Sequence, residues 1–317
     1  MNYLGIDIGG TAVKYGIVAA NGTLLCEEQY EVAFDGYQTP ILDTVLKTSQ
    51  TFLQSYGIAP CDLDGIGVSA TGQIDSVRGV VAGVGGNIIN WKGAPIKQAL
   101  QTQYKLPVTV VNDANCVALG EQWIGDAKGC KNVIVITVGT GLGGGIIMDG
   151  QVLLGQAGYA GELGHFSIAK DGRDCTCGNR GCYEQYASMT ALIRSVREQM
   201  PLQELPQLKK EEVNGKLIFE LVEKGYEQIT SIVDAWIQDI AVGLVSLTHI
   251  FNPELILIGG AVSTQETLFI AKVRNKVRAL AMANFGENLR IERASLGNHA
   301  GLIGAVSYLI QKGEADG

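Results

Sequence analysis

Residues 4–25, LGIDIGGTAVKYGIVAANGTLL, and residues 134–154, IVITVGTGLGGGIIMDGQVLL, are two versions of one pattern. Each runs through an apolar strand, a Gly/Thr turn, a second apolar strand, an Asn-Gly or Asp-Gly turn and the start of a third strand. Gly9 answers to Gly139 and Gly22 to Gly150, at offsets of 130 and 128, so one hairpin is two residues shorter. Two unrelated glycine-rich hairpins would give the same reading segment by segment. The matching order of parts favours an internal duplication. A chain of 317 residues has room for two such halves, each with its own core.

Outside the echoes, strands and helices alternate, which predicts an α/β fold with two similar halves around a cleft. Ile66–Ser69 and Val108–Val111 read as short buried strands, and Ala94–Tyr104 and Ser188–Gln199 as helices. Pro201–Lys216 is polar, carries two prolines and reads as a loop or linker. Ile229, Val233, Trp236, Ile240, Leu244 and Leu247 recur at helical spacing, and that helix should stop before Pro253. Leu255–Ile258 then reads as a strand that ends in Gly259-Gly260.

The net charge of −8 speaks against nucleic acid as the main partner, because neutralising phosphates needs a basic face. Met1-Asn2-Tyr3-Leu4 runs straight into a strand-like segment, with no basic n-region or apolar h-region of a signal peptide. The longest uncharged apolar stretch, Val133–Met148, is short for a bilayer span and broken by glycines. These features predict a soluble cytoplasmic protein with no membrane partner. Cys26, Cys61, Cys116 and Cys130 sit among apolar neighbours and read as buried thiols.

The chemistry begins with Asp7-Ile8-Gly9-Gly10-Thr11, followed by Lys14. A strand delivers an aspartate to a glycine turn whose backbone N–H groups can reach phosphate oxygens, Thr11 adds a hydroxyl, and Asp7 can organise magnesium. Gly139-Thr140-Gly141 offers a second phosphate loop, and the two together would clamp a triphosphate. The run to Gly144 formally matches G-x-G-x-x-G, but that fingerprint must open a helix, and Ile146–Gly150 reads as a strand and turn. Either loop alone reads equally as a plain hairpin. At Asn112-Asp113-Ala114-Asn115 a strand ends and a helix begins. Asp113 there can act as a general base toward a sugar hydroxyl. On local sequence alone, the favoured reading is that Asp113 or Asn112 simply caps the helix.

The strongest local signal is His165 followed by Cys175, Cys177 and Cys182. Three thiols and one imidazole within eighteen positions make a closed tetrahedral set for a structural zinc. Glu162 and Glu184 flank that set and could clamp paired hydroxyls, although without context they read as solvated. His249 and His299 show no partner pattern and read as structural or solvated.

Taken in order, these motifs resemble those of the ROK family of sugar kinases and sugar-responsive repressors, which belongs to the actin-like ATPase superfamily. The resemblance runs from Tyr3 to about Leu309. It also takes in Asn87–Trp91, Gly161-Glu162-Leu163-Gly164-His165, Cys175-x-Cys177-Gly178-x-x-Gly181-Cys182-x-Glu184 and Gly259-Gly260-Ala261-Val262-Ser263. It implies two actin-like (ribonuclease H-like) domains around a central cleft with a zinc-binding loop. The first domain would comprise residues 1–113 plus about 301–317, and the second residues 114–300. It implies ATP-dependent phosphorylation of a hexose at the 6-hydroxyl, with ATP, magnesium and zinc as cofactors. Glucose is the first choice of substrate, over N-acetylmannosamine or a β-glucoside.

By the same resemblance Asp113 is the catalytic base, which overturns the cap preference. Asn87, Asn112, Asp113, Glu162, His165 and Glu184 would contact the sugar. Asp7, Gly9, Gly10, Thr11, Lys14, Gly139, Thr140, Gly141, Gly259 and Gly260 would contact ATP, and His165, Cys175, Cys177 and Cys182 would hold the metal. A homodimer is expected, since relatives commonly dimerise. Repressors of the family carry a winged helix ahead of the phosphate motif, and a motif that starts at Asp7 leaves no room for one. Thr71 stands where the family usually has proline, and Ala261 where a third glycine is common.

Overall fold

In the computed structural model, which describes residues 1–33, 35–83, 88–200 and 213–316, the first echo forms β1 (Asn2–Ile8), β2 (Ala12–Ala19) and β3 (Leu24–Glu31). Next come α1 (Ile41–Ser55), β4 (Gly65–Ala70), β5 (Gln73–Asp75), β6 (Val80–Gly83), α2 (Ile96–Tyr104), β7 (Val108–Asn112) and α3 (Asp113–Trp123). The second echo forms β8 (Val133–Val138), β9 (Leu142–Met148) and β10 (Gln151–Val152). The chain continues through α4 (Glu184–Ala187), α5 (Met189–Gln199), α6 (Gly215–Glu223), α7 (Glu227–Phe251), β11 (Leu255–Gly259), α8 (Ala271–Leu280), α9 (Ala283–Gly286), β12 (Arg290–Arg293) and α10 (Ala300–Asp316).

The two main sheets have matching strand orders, β3-β2-β1-β4-β7 and β10-β9-β8-β11-β12. In each, the echo supplies the first three strands and later α/β segments add two parallel ones: β1 pairs parallel with β4 and β4 with β7, as β8 does with β11 and β11 with β12. The duplication expected from the sequence is therefore a duplication of topology. At the second hairpin turn both Asp149 and Gly150 have positive φ, 51° and 81°, the conformation that a two-residue hairpin requires.

The chain divides into two compact units. The first comprises Met1–Lys131, Gly145–Gly161 and Ser295–Gly317. It extends past Asp113, the expected limit of the first domain, because α3 packs along α10. Its core gathers Leu4, Ile6, Ile8, Val13, Tyr15, Ile66, Val68, Trp91 and Val110. α10 lies directly on β1 and β4, and Gly67 allows this, since a side chain there would enter the backbone of Ala305.

The second unit comprises Asn132–Gly144 and Glu162–Ala294. α7 runs as expected and ends at Asn252, whose left-handed backbone (φ 46°) stops the helix one residue before Pro253. It is the one described helix long and apolar enough to cross a membrane. Its buried face of Ile229, Val233, Trp236, Ile240, Leu244 and Leu247 packs with α4, α5, α6 and α8 as a core helix. The polar segment read as a linker lies outside the described residues at 201–212, and its end, Gly215-Lys216, already belongs to α6.

Of the four cysteines expected to be buried, Cys116 and Cys130 are, Cys26 is partly so, and Cys61 is exposed. Cys61 sits in a surface 3-10 turn at Pro60–Asp62, none of whose three residues is buried, although Leu63 just after it joins the core. His249 and His299 both have protein partners: His249 accepts from the Met282 N–H at 3.1 Å, and His299 lies 2.9 Å from Glu27.

Candidate active site and metal centre

In the first unit, β1 and β4 run parallel with Asp7 beside Ser69, and the Ser69 hydroxyl donates to Asp7 Oδ1 at 2.6 Å. Asp7 also faces Lys14 across the β1–β2 hairpin, with Nζ 3.7 Å from Oδ2. Between them the Gly9 N–H donates to the Ala12 carbonyl at 2.9 Å, which closes the tight turn that carries Gly10 and the exposed Thr11. This end of the sheet therefore sets a carboxylate, an ammonium, a hydroxyl and turn backbone close together, a donor set suited to a magnesium-bound phosphate. In the sequence Ser69 reads only as the end of a short apolar strand. Its role shows once β4 pairs with β1.

β7 ends with Asn112 at the same end of that sheet, and Asp113 follows. Asn112 is the helix cap: its Oδ1 accepts from the N–H groups of Ala114 at 2.9 Å and Asn115 at 3.3 Å. Its Nδ2 donates to the Gly72 carbonyl at 2.9 Å. Asp113 is the first residue of α3 and half-buried. One of its oxygens accepts from the Ala114 N–H at 2.8 Å. Of the two cap candidates that the local sequence leaves open, Asn112 is the N-cap. Burial first, then the Asp7 charge, pushes the Cys116 thiol far up, and Asp113 adds to it, so Cys116 stays an inert neutral thiol.

Thr71 has a structural reason to differ from proline. Its N–H donates to the Ile8 carbonyl at 3.0 Å, a bond proline cannot make, and its carbonyl accepts from the Trp91 indole at 2.9 Å. Asn87 lies outside the described residues.

In the second unit, β8 leads into Gly139-Thr140-Gly141, and β11, paired beside it, leads into Gly259-Gly260. Gly260 has φ 95° and lies against Val138 so closely that no side chain would fit, so the two glycine loops are neighbours. The Gly139 and Thr140 carbonyls accept from the Met189 N–H at 2.9 Å and the Thr190 hydroxyl at 2.6 Å, which joins the loop to the start of α5. Glu184 reaches the same loop: its Oε2 accepts from the Leu142 N–H at 2.9 Å. Glu162 is exposed, yet the protein around its carboxyl still disfavours the charge and raises its pKa, with His165 opposing and Glu184 reinforcing.

His165, Cys175, Cys177 and Cys182 converge, with their ligand atoms all within 4.8 Å of one another. Cys175 Sγ is 3.6 Å from His165 Nδ1, and Cys177 Sγ is 3.5 Å from Cys182 Sγ. Zinc bonds of about 2.3 Å to sulfur and 2.0–2.1 Å to nitrogen give tetrahedral edges of about 3.8 Å (S–S) and 3.6 Å (N–S), so the set fits zinc in both chemistry and spacing. The loop is self-bracing: the Cys175 N–H donates to the Asn179 carbonyl at 2.9 Å, and Arg180 pairs with Asp174 at 2.6 Å. Burial pushes the Cys175 thiol up, but hydrogen bonds from Cys177, Cys182 and His165 outweigh it and bring it to about 7, while burial and the same neighbours push Cys182 the other way, so the four groups share one proton system. Gln185 Nε2 points at Cys175 Sγ from 3.8 Å, and Arg194 holds Gln185 in turn. These two supporting residues carry no sequence signal, because an amide and a guanidinium on helices read as surface.

With the geometry in place, comparison with known proteins adds the lineage. The ROK family model matches residues 3–312. This chain belongs to the ROK family. It is 32% identical over 320 residues to a glucokinase of Halalkalibacterium halodurans, a match that covers 98% of this chain and 96% of the relative. It is 28% identical over 311 residues to a xylose repressor of Caldicellulosiruptor bescii, and there the match covers 97% of this chain but 77% of the repressor. The crystal structure of a ROK family glucokinase from Streptomyces griseus in complex with glucose and AMPPNP superposes with a TM-score of 0.83 at 31% identity, over 98% of this chain and 100% of that one. The actin-like α/β fold expected from the motifs is therefore the fold of this chain.

Proposed function

We propose that this protein is an ATP-dependent sugar kinase that phosphorylates a hexose at its 6-hydroxyl, with glucose as the substrate. One observation carries the reading: Asp113 follows directly on β7, which runs parallel to β4 and β1, so it lies at the sheet end where β1 turns through Gly9-Gly10-Thr11. The glucokinase relative and the glucose- and AMPPNP-bound neighbour support the substrate and the donor.

In this reading Asp113 takes the proton of the 6-hydroxyl as its oxygen attacks the terminal phosphorus of ATP; the bond to the bridging oxygen breaks and ADP leaves with that electron pair. Asn87, Asn112, Glu162, His165 and Glu184 orient the sugar through its remaining hydroxyls. Gly9, Gly10, Thr11, Lys14, Gly139, Thr140 and Gly141 bind the phosphates, and Gly259 and Gly260 lie at the adenosine. Magnesium, near Asp7, would supply charge neutralisation on the phosphates. Zinc on His165, Cys175, Cys177 and Cys182 would brace the loop from which Glu162 and Glu184 project and fix the His165 ring. The exposed Thr11 and half-buried Lys14 suit a ligand that arrives from solvent.

The test is a coupled ATP-consumption assay with glucose, N-acetylmannosamine and β-glucosides, run on the wild type and on Asp113→Asn. Glucose should give the highest catalytic efficiency, and Asp113→Asn should lower turnover by roughly two to four orders of magnitude while nucleotide binding survives. Near-wild-type turnover in the variant refutes Asp113 as the base. A tenfold preference for another sugar refutes glucose and leaves the kinase standing.

A further inference from the structure

Glu121 lies two turns along α3 from Asp113 and is fully buried. Its Oε1 accepts from the Leu296 N–H at 2.8 Å, and its Oε2 from the Asp126 N–H at 3.0 Å and the Ser295 hydroxyl at 3.2 Å. Gly125 makes room for the carboxylate, since a side chain there would run into Oε2. Two of the three donors belong to Ser295-Leu296, the segment that leads into α10.

Beyond that segment the chain enters the phosphate-loop side of the site. The Asn298 carbonyl accepts from Lys14 Nζ at 3.4 Å, and Lys14 faces Asp7. Gly301, in the first turn of α10, lies so near Asp7 that a methyl there would sit 2.8 Å from the carboxyl carbon. α3 and α10 meet backbone to backbone: a methyl on Gly120 would sit 2.8 Å from the Ala300 carbonyl, and Gly304 has no room against Cys116. The entry of α10 therefore seats Asp7 and Lys14, and the buried carboxylate of Glu121 holds that entry onto the helix that begins with Asp113.

We infer that Glu121 is a positioning residue: it ties the helix of the general base to the turn that seats Asp7 and Lys14. Base and phosphate site thereby keep one geometry. The inference rests on the sugar-kinase reading above. A residue that merely stabilised the unit would change the folded fraction and leave the affinities of the folded protein alone. A positioning residue on this side of the site changes nucleotide affinity selectively.

Glu121→Gln keeps the size and one carbonyl acceptor but turns the other oxygen into a donor that faces donors. Calorimetric titration with magnesium and a non-hydrolysable ATP analogue, and separately with glucose, reads the two affinities; steady-state kinetics reads KM for ATP against kcat. The nucleotide Kd and the KM for ATP should rise about tenfold, the scale of one lost hydrogen bond to a charged group, while the glucose Kd stays within about twofold. Ser295→Ala, which removes one donor, should move the same quantity in the same direction by less. Should Glu121→Gln not fold, Ser295→Ala decides, and an unchanged nucleotide Kd there overturns the inference. So does a folded Glu121→Gln with lowered thermal stability and both affinities intact. A wild-type chain that binds no nucleotide overturns the kinase reading itself, and with it the inference.

Discussion

Asn112 combines two structural tasks in one amide with the sugar contact proposed above, and two substitutions separate them. Its Oδ1 caps α3 through the N–H groups of Ala114 and Asn115, and its Nδ2 donates to the Gly72 carbonyl. Losing a cap costs about 1 kcal/mol, and losing the tie to Gly72 about 1 kcal/mol more, with an unpaired carbonyl left behind. Asn112→Ala should therefore destabilise by about 2–3 kcal/mol, a fall of about 5–10 °C in Tm for a unit of this size. Asn112→Ser keeps an oxygen that can cap but loses the tie and leaves the same carbonyl unpaired, so it should cost about 1–2 kcal/mol and about 2–6 °C. The same geometry limits what Asn112 can offer a sugar. Both lone pairs of Oδ1 and one N–H are engaged, so one N–H is left, and Asn112 can donate to a single hydroxyl oxygen. Both variants should therefore weaken glucose binding equally, about tenfold for one hydrogen bond, although they differ in stability. Thermal melts and calorimetry on the two proteins test this together. Equal stabilities for the alanine and serine variants would refute the cap, and unchanged glucose affinity in both would refute the sugar contact.

Metal content and acid stability give two further tests. Purified protein should hold about one zinc ion per chain; Cys177→Ala should lose it, and elemental analysis that finds no zinc in active wild-type protein would refute the site. Asp75 accepts from the Arg78 N–H at 2.9 Å and from its Nε at 2.5 Å, and these bonds lower the pKa of its carboxyl from the ordinary 3.8. The folded carboxyl titrates below the unfolded one, so the contribution of the pair is complete above the unfolded value and fades as pH falls through the folded one. The Tm gap between wild type and Asp75→Asn should be widest at neutral pH and close in acid, and a gap that widens in acid would contradict the pairing.

Much of this protein is local in origin, and that part is legible in the sequence. The echo is visible because strand alternation and hairpin-turn residues act over a few positions, and the sheets duly repeat the order of strands. The Cys/His set is visible because its four residues lie within one loop and few residue types can bind a metal. The end of α7 is visible because Pro253 constrains its neighbour. Asp113 and Asn112 are visible as a pair but not as separate roles, since a strand-to-helix junction admits either as cap until the hydrogen bonds are drawn.

The features hidden from the chain alone depend on contacts between distant segments. Cys61 reads as buried from its neighbours in sequence, but the turn that carries it lies on the surface while Leu63 beside it enters the core. Ser69 becomes a partner of Asp7 only through parallel pairing of strands sixty residues apart. Glu121 carries no signal in the sequence, because its donors at Ser295 and Leu296 lie more than 170 residues away. Which residue types can do the chemistry is legible in the chain. The tertiary structure decided which side chains hold them in place, because a hydrogen bond across the fold leaves no periodicity or spacing in the chain.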